Sequence, residues 1–335
     1  MTATDKLGDA TGSAATGEFE LIDEIVAALG SASSGPHVLL GPGDDAAMIA
    51  LPAGMALVTS VDTLLPDVHF PAAADAQLIG QRALRVSVSD LAAMAAEPLA
   101  CVISLVLPRA IDPQWVRDLS KGFAAAAQQF GCPVTGGNLT AGPLSICVTV
   151  QGGVPAELAL TRSGAKPGDD VWVSGALGGA AVALVRGGLN DVSSSAVGTS
   201  MTAAQQQYFL PQPQLTLGID LRGVATAAID ISDGLAADLG HIARMSDVSV
   251  ALDSSAIPRF SGASLEQALY GGDDYHLCFT APASQQHRIR GLLTGDDHRG
   301  DAKSGAVRIG KVLAGEAELL LDGQVMRQLG FDHFS

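Results

Sequence analysis

Basic side chains are scarce in this chain. Lys and Arg number 19 against 35 Asp and Glu, a formal net charge of -16, and charged residues make up only 16% of the 335. No Lys/Arg run offsets that field locally, so a nucleic-acid backbone or an anionic membrane is repelled. Cysteine is also sparse. Cys101, Cys132, Cys147 and Cys278 form no C-x-x-C pair, and each sits in an apolar stretch, which predicts buried thiols in a reducing compartment. No apolar run reaches membrane-spanning length, and residues 1–17 lack the basic-then-apolar pattern of a signal peptide. The expectation is a soluble, cytoplasmic protein with a disordered leader over 1–17. Repeats are absent too, so the 39 glycines are not those of a fibrous chain; they cluster beside apolar runs, as in an α/β or α+β enzyme. No G-x-S-x-G or kinase catalytic-loop signature occurs. Gly305 to Val312 nearly matches a phosphate-binding loop, but Val312 stands where a hydroxyl must hold the metal.

What is present is a chain long enough for two domains and 47% hydrophobic, so it can bury a sizeable core. Apolar periodicity predicts helices over 18–29, 76–96 (with a possible break near 86–88), 113–130, 179–185 and 234–245. Strands are expected over 37–40, 55–61, 100–107, 145–150, 170–173, 225–231 and 248–252. A Gly/Pro-rich connector over 152–168 divides the chain into 18–153 and 154–335, and the tail should alternate short strands and turns.

Carboxylates recur at five places in that framework. Gly41-Pro42-Gly43-Asp44-Asp45 can present backbone N–H groups to an anion beside two acids, or be a polar turn. In Ser60-Val61-Asp62, alternation along a strand puts Ser60 and Asp62 on one face, as oxygen ligands for Mg2+ or as a solvated strand end. In Ser87-Val88-Ser89-Asp90 the acid lies among apolar neighbours, and burial would require a partner such as a cation; a helix cap at Ser89 competes. Asp230-Ile231-Ser232-Asp233-Gly234 ends an apolar strand and opens a helix, where anions are attracted. Tyr270-Gly271-Gly272-Asp273-Asp274-Tyr275 could grip a ring and a phosphate, or form a hairpin. His69 is a lone loop histidine.

In order along the chain, GEFELI, GPGDD, SVDT…HF, VSVSDLAAMAAEP, GGNLT, LTRSGAKPGDDVWVSG, DISDGLAADLGHIA, GGDDYHLCF and GFDHF resemble the thiamine-monophosphate kinase family. The resemblance runs from about Glu18 to Phe334. It implies an aminoimidazole ribonucleotide synthetase-like fold: an N-terminal α+β domain that pairs in a homodimer, and a C-terminal α/β domain. It further implies ATP, several Mg2+ ions and direct phosphoryl transfer to thiamine monophosphate, with no enzyme nucleophile or base.

Carried over position by position, Asp45, Ser60, Val61, Asp62, Asp90, Asn138, Asp230 and Asp233 match metal positions. Gly137, Asn138, Arg162 and Ser232 match ATP positions, and His69, Asp273 and Phe331 match the substrate site. The family often has Asp at 138, Glu at 273, Thr at 61 and an acid at 276, where this chain has Asn, Asp, Val and His. Asn138 leaves the metal set one charge short. Two other readings follow: another ATP-using enzyme of the superfamily, of the purine-precursor type, or a catalytically silent nucleotide-binding protein. The first cysteine is Cys101 and the chain ends Asp332-His333-Phe334-Ser335, which argues against the selenophosphate and hydrogenase-maturation branches.

Overall fold

The structure is a computed structural model that describes residues 17–294 and 305–327; the expected leader, up to residue 16, and Phe331 lie outside those residues. The first half contains α1 (Glu18–Leu29), β1 (Val38–Leu40), β2 (Met48–Ile49), β3 (Met55–Leu64), α2 (Ala76–Ala93), β4 (Glu97–Leu107), α3 (Pro113–Phe130), β5 (Val134–Ala141) and β6 (Ser145–Pro155). The second half contains β7 (Asp169–Val173), α4 (Gly179–Arg186), α5 (Ala203–Phe209), α6 (Leu215–Asp220), β8 (Ala227–Asp230), α7 (Leu235–Ser246), β9 (Ser249–Leu252) and α8 (Leu265–Tyr270). It continues with β10 (Leu277–Pro282), α9 (Gln286–Thr294), β11 (Val307–Leu313), β12 (Leu319–Leu321) and β13 (Gln324–Val325).

Strands of the first half form a four-stranded sheet in the order β3-β6-β4-β5, and those of the second a seven-stranded sheet in the order β13-β12-β9-β11-β7-β10-β8. The first sheet is antiparallel except for the β4–β5 pair. α2 and α3 pack on it. Asp75 caps α2 by accepting from Gln77 N at 2.9 Å, and Asp112 caps α3 with Pro113 in its first turn and Gly131 in the left-handed conformation after its end. The two helices touch backbone to backbone. A Cβ on Gly80 would stand 2.2 Å from the Leu119 carbonyl oxygen, and one on Gly122 would stand 2.1 Å from that of Gln77.

Sixteen of the eighteen residues of α2 are buried. A helix hidden on every side must be met by partners all round. α3 and the sheet cover part of α2, and α5, α6 and β8 of the second half cover the rest. Arg85 reaches across this junction to the Pro211 carbonyl at 3.1 Å, and Arg222 reaches back to the Ala95 carbonyl at 2.6 Å. One apolar core cluster therefore runs through both halves.

Several expectations change. α2 is unbroken through 86–88 and ends at Ala93, before a left-handed Ala95 rather than at Pro98. Ser89 is interior to it and caps nothing. β3 continues to Leu64, so Ser60 and Asp62 lie within a strand and not at its end. β6 continues to Pro155, because pairing with β3 carries Gly152 and Gly153 into the sheet. The tail contains α8 and α9 as well as strands. All four cysteines are free, but Cys147 is only half-buried.

Candidate active site

A cleft of about 670 Å³ lies where β3, α2 and the loop after Leu64 face β8, the loop between β8 and α7, and the loop after α8. Its walls carry Val61, Asp62, His69, Arg82, Asp90, Asp230, Ser232, Asp233 and Asp273, drawn from both halves. Segments far apart in sequence thus line one space.

At one end stand three carboxylates, each served by a serine. Ser60 donates to Asp90, Ser87 hydrogen-bonds Asp62, and Ser89 donates to Asp230 Oδ2 at 2.6 Å. The alternation of β3 explains how Asp62 turns inward while the neighbouring Val61 side chain is 59% exposed. Burial is the largest influence on the acids. It pushes Asp62 up to about 6, with repulsion from Asp90 adding to it and Ser87 opposing. Asp230 rises to about 7, from burial and then from Asp90. Asp90 is raised by burial, while Ser60 and the charge of the exposed Arg162 pull it down. Among the described residues, no three His, Cys, Asp or Glu groups are close enough to hold a metal ion by themselves. The three acids repel one another without forming a closed cage.

The loop at Ser232–Gly234 differs from expectation. β8 ends at Asp230, so Ser232 is beyond the strand, and α7 begins only at Leu235. The N–H groups of Ser232 and Asp233 do not await an anion. Both donate to Asp238 Oδ2 at 3.1 Å. Asp238 is buried and pushed up to about 8, by burial and then by Asp230 and Asp233. The loop presents side chains to the cleft and spends its backbone donors internally.

At the other end lie His69 and Asp273. The loop around Asp273 is not a hairpin; it joins α8 to β10 and rests on the Ser232 loop, with Asp273 N donating to the Ser232 carbonyl at 2.8 Å and Tyr275 N to that of Ile231 at 2.8 Å. Gly272 (φ +64) is required there, since a Cβ would stand 2.5 Å from the Ser232 carbonyl oxygen. The two acids part. Asp273 lines the cleft, whereas Asp274 turns inward, accepts from Gly178 N at 2.8 Å, and is pushed up to about 8, chiefly by burial. His276 is buried beside Ser174, and burial holds its pKa down at about 4, so it is a neutral core residue.

Asp45, Gly137 and Asn138 lie elsewhere. They border a second cavity of about 1010 Å³ between α1 and the open face of the first sheet, beside Ile22, Val26 and Val102. Within one chain, Asp45 and Asn138 therefore stand apart from Asp62, Asp90 and Asp230. Sequence reasoning missed Arg82, Tyr208 and Asp238. The signal that marked Asp90, a charged residue among apolar helical neighbours, was equally present at Arg82 and Asp238.

Residues 43–154 match the family AIR synthase related protein, N-terminal domain, and residues 166–320 match AIR synthase related protein, C-terminal domain. The thiamine-monophosphate kinase of Salmonella typhimurium is 38% identical over 276 residues, covering 80% of this chain and 83% of that protein. That of Escherichia coli K12 is also 38% identical, over 277 residues and the same shares. The crystal structure of thiamine-monophosphate kinase from Stenotrophomonas maltophilia K279a superposes with a TM-score of 0.78 at 39% identity, over 92% of this chain and 98% of that one. AaThiL complexed with AMPPCP and TMP gives a TM-score of 0.71 at 29% identity, over 95% and 97%. The hydrogenase maturation protein HypE in complex with ATP, at 20% identity and a TM-score of 0.72, shares the fold.

Proposed function

The chain belongs to the thiamine-monophosphate kinase family, and from that premise we propose that it transfers the γ-phosphoryl group of ATP directly to thiamine monophosphate. The products are thiamine diphosphate and ADP. The observation that carries this reading is the trio Asp62, Asp90 and Asp230, buried and mutually repelling in a cleft built by both halves.

An oxygen of the acceptor phosphate forms the new bond to the γ-phosphorus as the bond to the β–γ bridging oxygen breaks, and ADP leaves with that electron pair. The acceptor phosphate has a second pKa of about 6 and is largely dianionic at neutral pH, so no general base is needed. The obstacle is charge. Two unit charges about 4 Å apart repel by roughly 4 kcal/mol at an effective dielectric of about 20. Asp62, Asp90, Asp230 and Asp233, with Ser60 and the Val61 carbonyl, are assigned to Mg2+ at the phosphate end. Mg2+ is commonly held by one or two carboxylates together with substrate phosphates and water, which suits acids that form no closed cage of their own. When bound, the ions would neutralise phosphate charge and stabilise the transferring group.

The chain's own contribution is positioning. Serines 60, 87 and 89 orient the acids, Asp238 holds the Ser232 loop, and His69 and Asp273 are assigned to the acceptor together with Phe331, whose ring suits a thiazolium cation. Gly137, Asn138, Arg162 and Ser232 are assigned to ATP, and Asp45 and Asn138 to a further metal position. The working units are 18–153 and 154–335, pairing as a homodimer through the first. No helix among the described residues is long and apolar enough to cross a membrane, and the cytoplasm is the compartment we assign.

Incubation with ATP, Mg2+ and each of thiamine monophosphate, thiamine and aminoimidazole-pathway precursors, with chromatography of the products, tests the reading. Thiamine diphosphate should form only with the monophosphate and only with Mg2+. Turnover of free thiamine but not of its monophosphate, or ATP binding without any product, would refute it.

A further inference from the structure

Among the described residues lining the cleft, Arg82 carries the only permanent positive charge. Its side chain is 2% exposed. Nε donates to the His69 carbonyl at 2.9 Å, one terminal nitrogen donates to the Tyr208 carbonyl at 2.5 Å, and the other to Asp273 Oδ1 at 2.7 Å. The guanidinium also stacks 4.2 Å from the centre of the Tyr208 ring, and the Tyr208 hydroxyl donates to the same His69 carbonyl at 3.1 Å. None of these partners belongs to α2. The side chain does not secure its own helix; it ties the loop of His69, the end of α5 and the loop of Asp273 to one point.

A guanidinium so deeply buried persists only where its donors are met, and its planar fork fixes the direction of each bond. Asp273 is fixed accordingly. Its Oδ1 takes both Arg82 and the Tyr275 hydroxyl, the latter at 2.9 Å, while its backbone is left-handed with φ 59. The hydrogen bonds from Arg82 and Tyr275 both fall on Oδ1 and not on Oδ2. Arg82, Val86 and Asp90 recur at four-residue intervals on one face of α2, and all three line the cleft. A rise of about 1.5 Å per residue separates Arg82 from Asp90 by about 12 Å along the axis.

We propose that Arg82 is the positioning residue of the acceptor end: it holds Asp273 by Oδ1 so that Oδ2 is turned toward the acceptor's cationic ring, and it sets that end at a fixed separation from the phosphate end. This rests on the assignment of His69 and Asp273 to thiamine monophosphate. Arg82→Lys keeps the charge but replaces a rigid fork with a single ammonium. In steady-state kinetics on the full chain, the KM for thiamine monophosphate should rise about tenfold, while the KM for ATP changes less than about twofold.

Asp273→Asn should raise the same KM, and the double variant should be scarcely worse than the worse single one, because both act through the one Asp273 carboxylate. Equal rises in both KM values, an unchanged acceptor KM, or additive effects would overturn the proposal. If Asp273→Asn alone leaves the acceptor KM untouched, the acceptor assignment itself fails and the proposal fails with it. Tyr275→Phe loosens the same oxygen without disturbing the buried charge, and is decisive if Arg82→Lys does not fold. Its acceptor KM should rise severalfold with that for ATP unchanged, and a proportional rise in both would again overturn the proposal.

Discussion

Asp62 and Asp230 hold their protons far above the ordinary carboxylate value of 3.8, and burial is the main cause at each. The consequence has a definite sign. Folded pKa values of about 6 and about 7 mean that, from about pH 4 to 7, the folded chain retains protons that the unfolded chain has released. These groups therefore stabilise the ligand-free chain at the acid end of that window, and their contribution is lost as pH rises through it. A cation binding there must displace the same protons. Mg2+ should accordingly raise the thermal midpoint more at pH 8 than at pH 6, and Asp230→Asn should abolish most of the difference; equal shifts at both pH values in the unaltered chain would contradict the metal assignment. Asp90 was legible because an acid among apolar helical residues needs an explanation. Arg82 posed the same question, but its carboxylate partner lies 191 positions away, beyond the reach of any local pattern.

Capping and periodicity are local, and elements governed by them were legible at the helix scale. α1 and α3 have the bounds their sequences imply. β5 was missed because Val134-Thr-Gly-Gly-Asn-Leu-Thr-Ala141 has the composition of a loop and becomes a strand through parallel pairing with β4. α2 was misread for a related reason. Its small and polar residues look like interruptions, yet each faces a partner from another part of the chain. Gly80 is the clearest case, and its counterpart on the facing helix α3 is Gly122. Gly122→Ala should destabilise the fold by about 1–3 kcal/mol, since the α2–α3 backbone contact would have to open. Urea denaturation measures it, and an unchanged midpoint would show that the crossing can relax.

At the scale of the whole molecule, the first half leaves apolar side chains uncovered around β1, β2 and β3. Leu39 is 65% exposed, Met48 55%, Leu57 53% and Val61 59%. We assign the interface of the proposed homodimer to these exposed apolar strands. The chain should sediment as a dimer at micromolar concentration, and Leu57→Glu should sediment as a monomer; a monomeric parent chain or a dimeric variant would dismiss this surface.

The same molecule reads α2 from several directions at once: Arg82 from the acceptor end, Arg85 from the loop after α5, Ser87 and Ser89 from two of the three acids. Helical phase binds these roles together. Adding or deleting one residue between 82 and 90 would turn everything beyond it by about 100°. Asp90 would leave the cleft that Arg82 still faced, and Ser89 would leave Asp230. Length and rotation of this one helix are thus a single specification, and the sequence of α2 can be substituted piecemeal but not respaced.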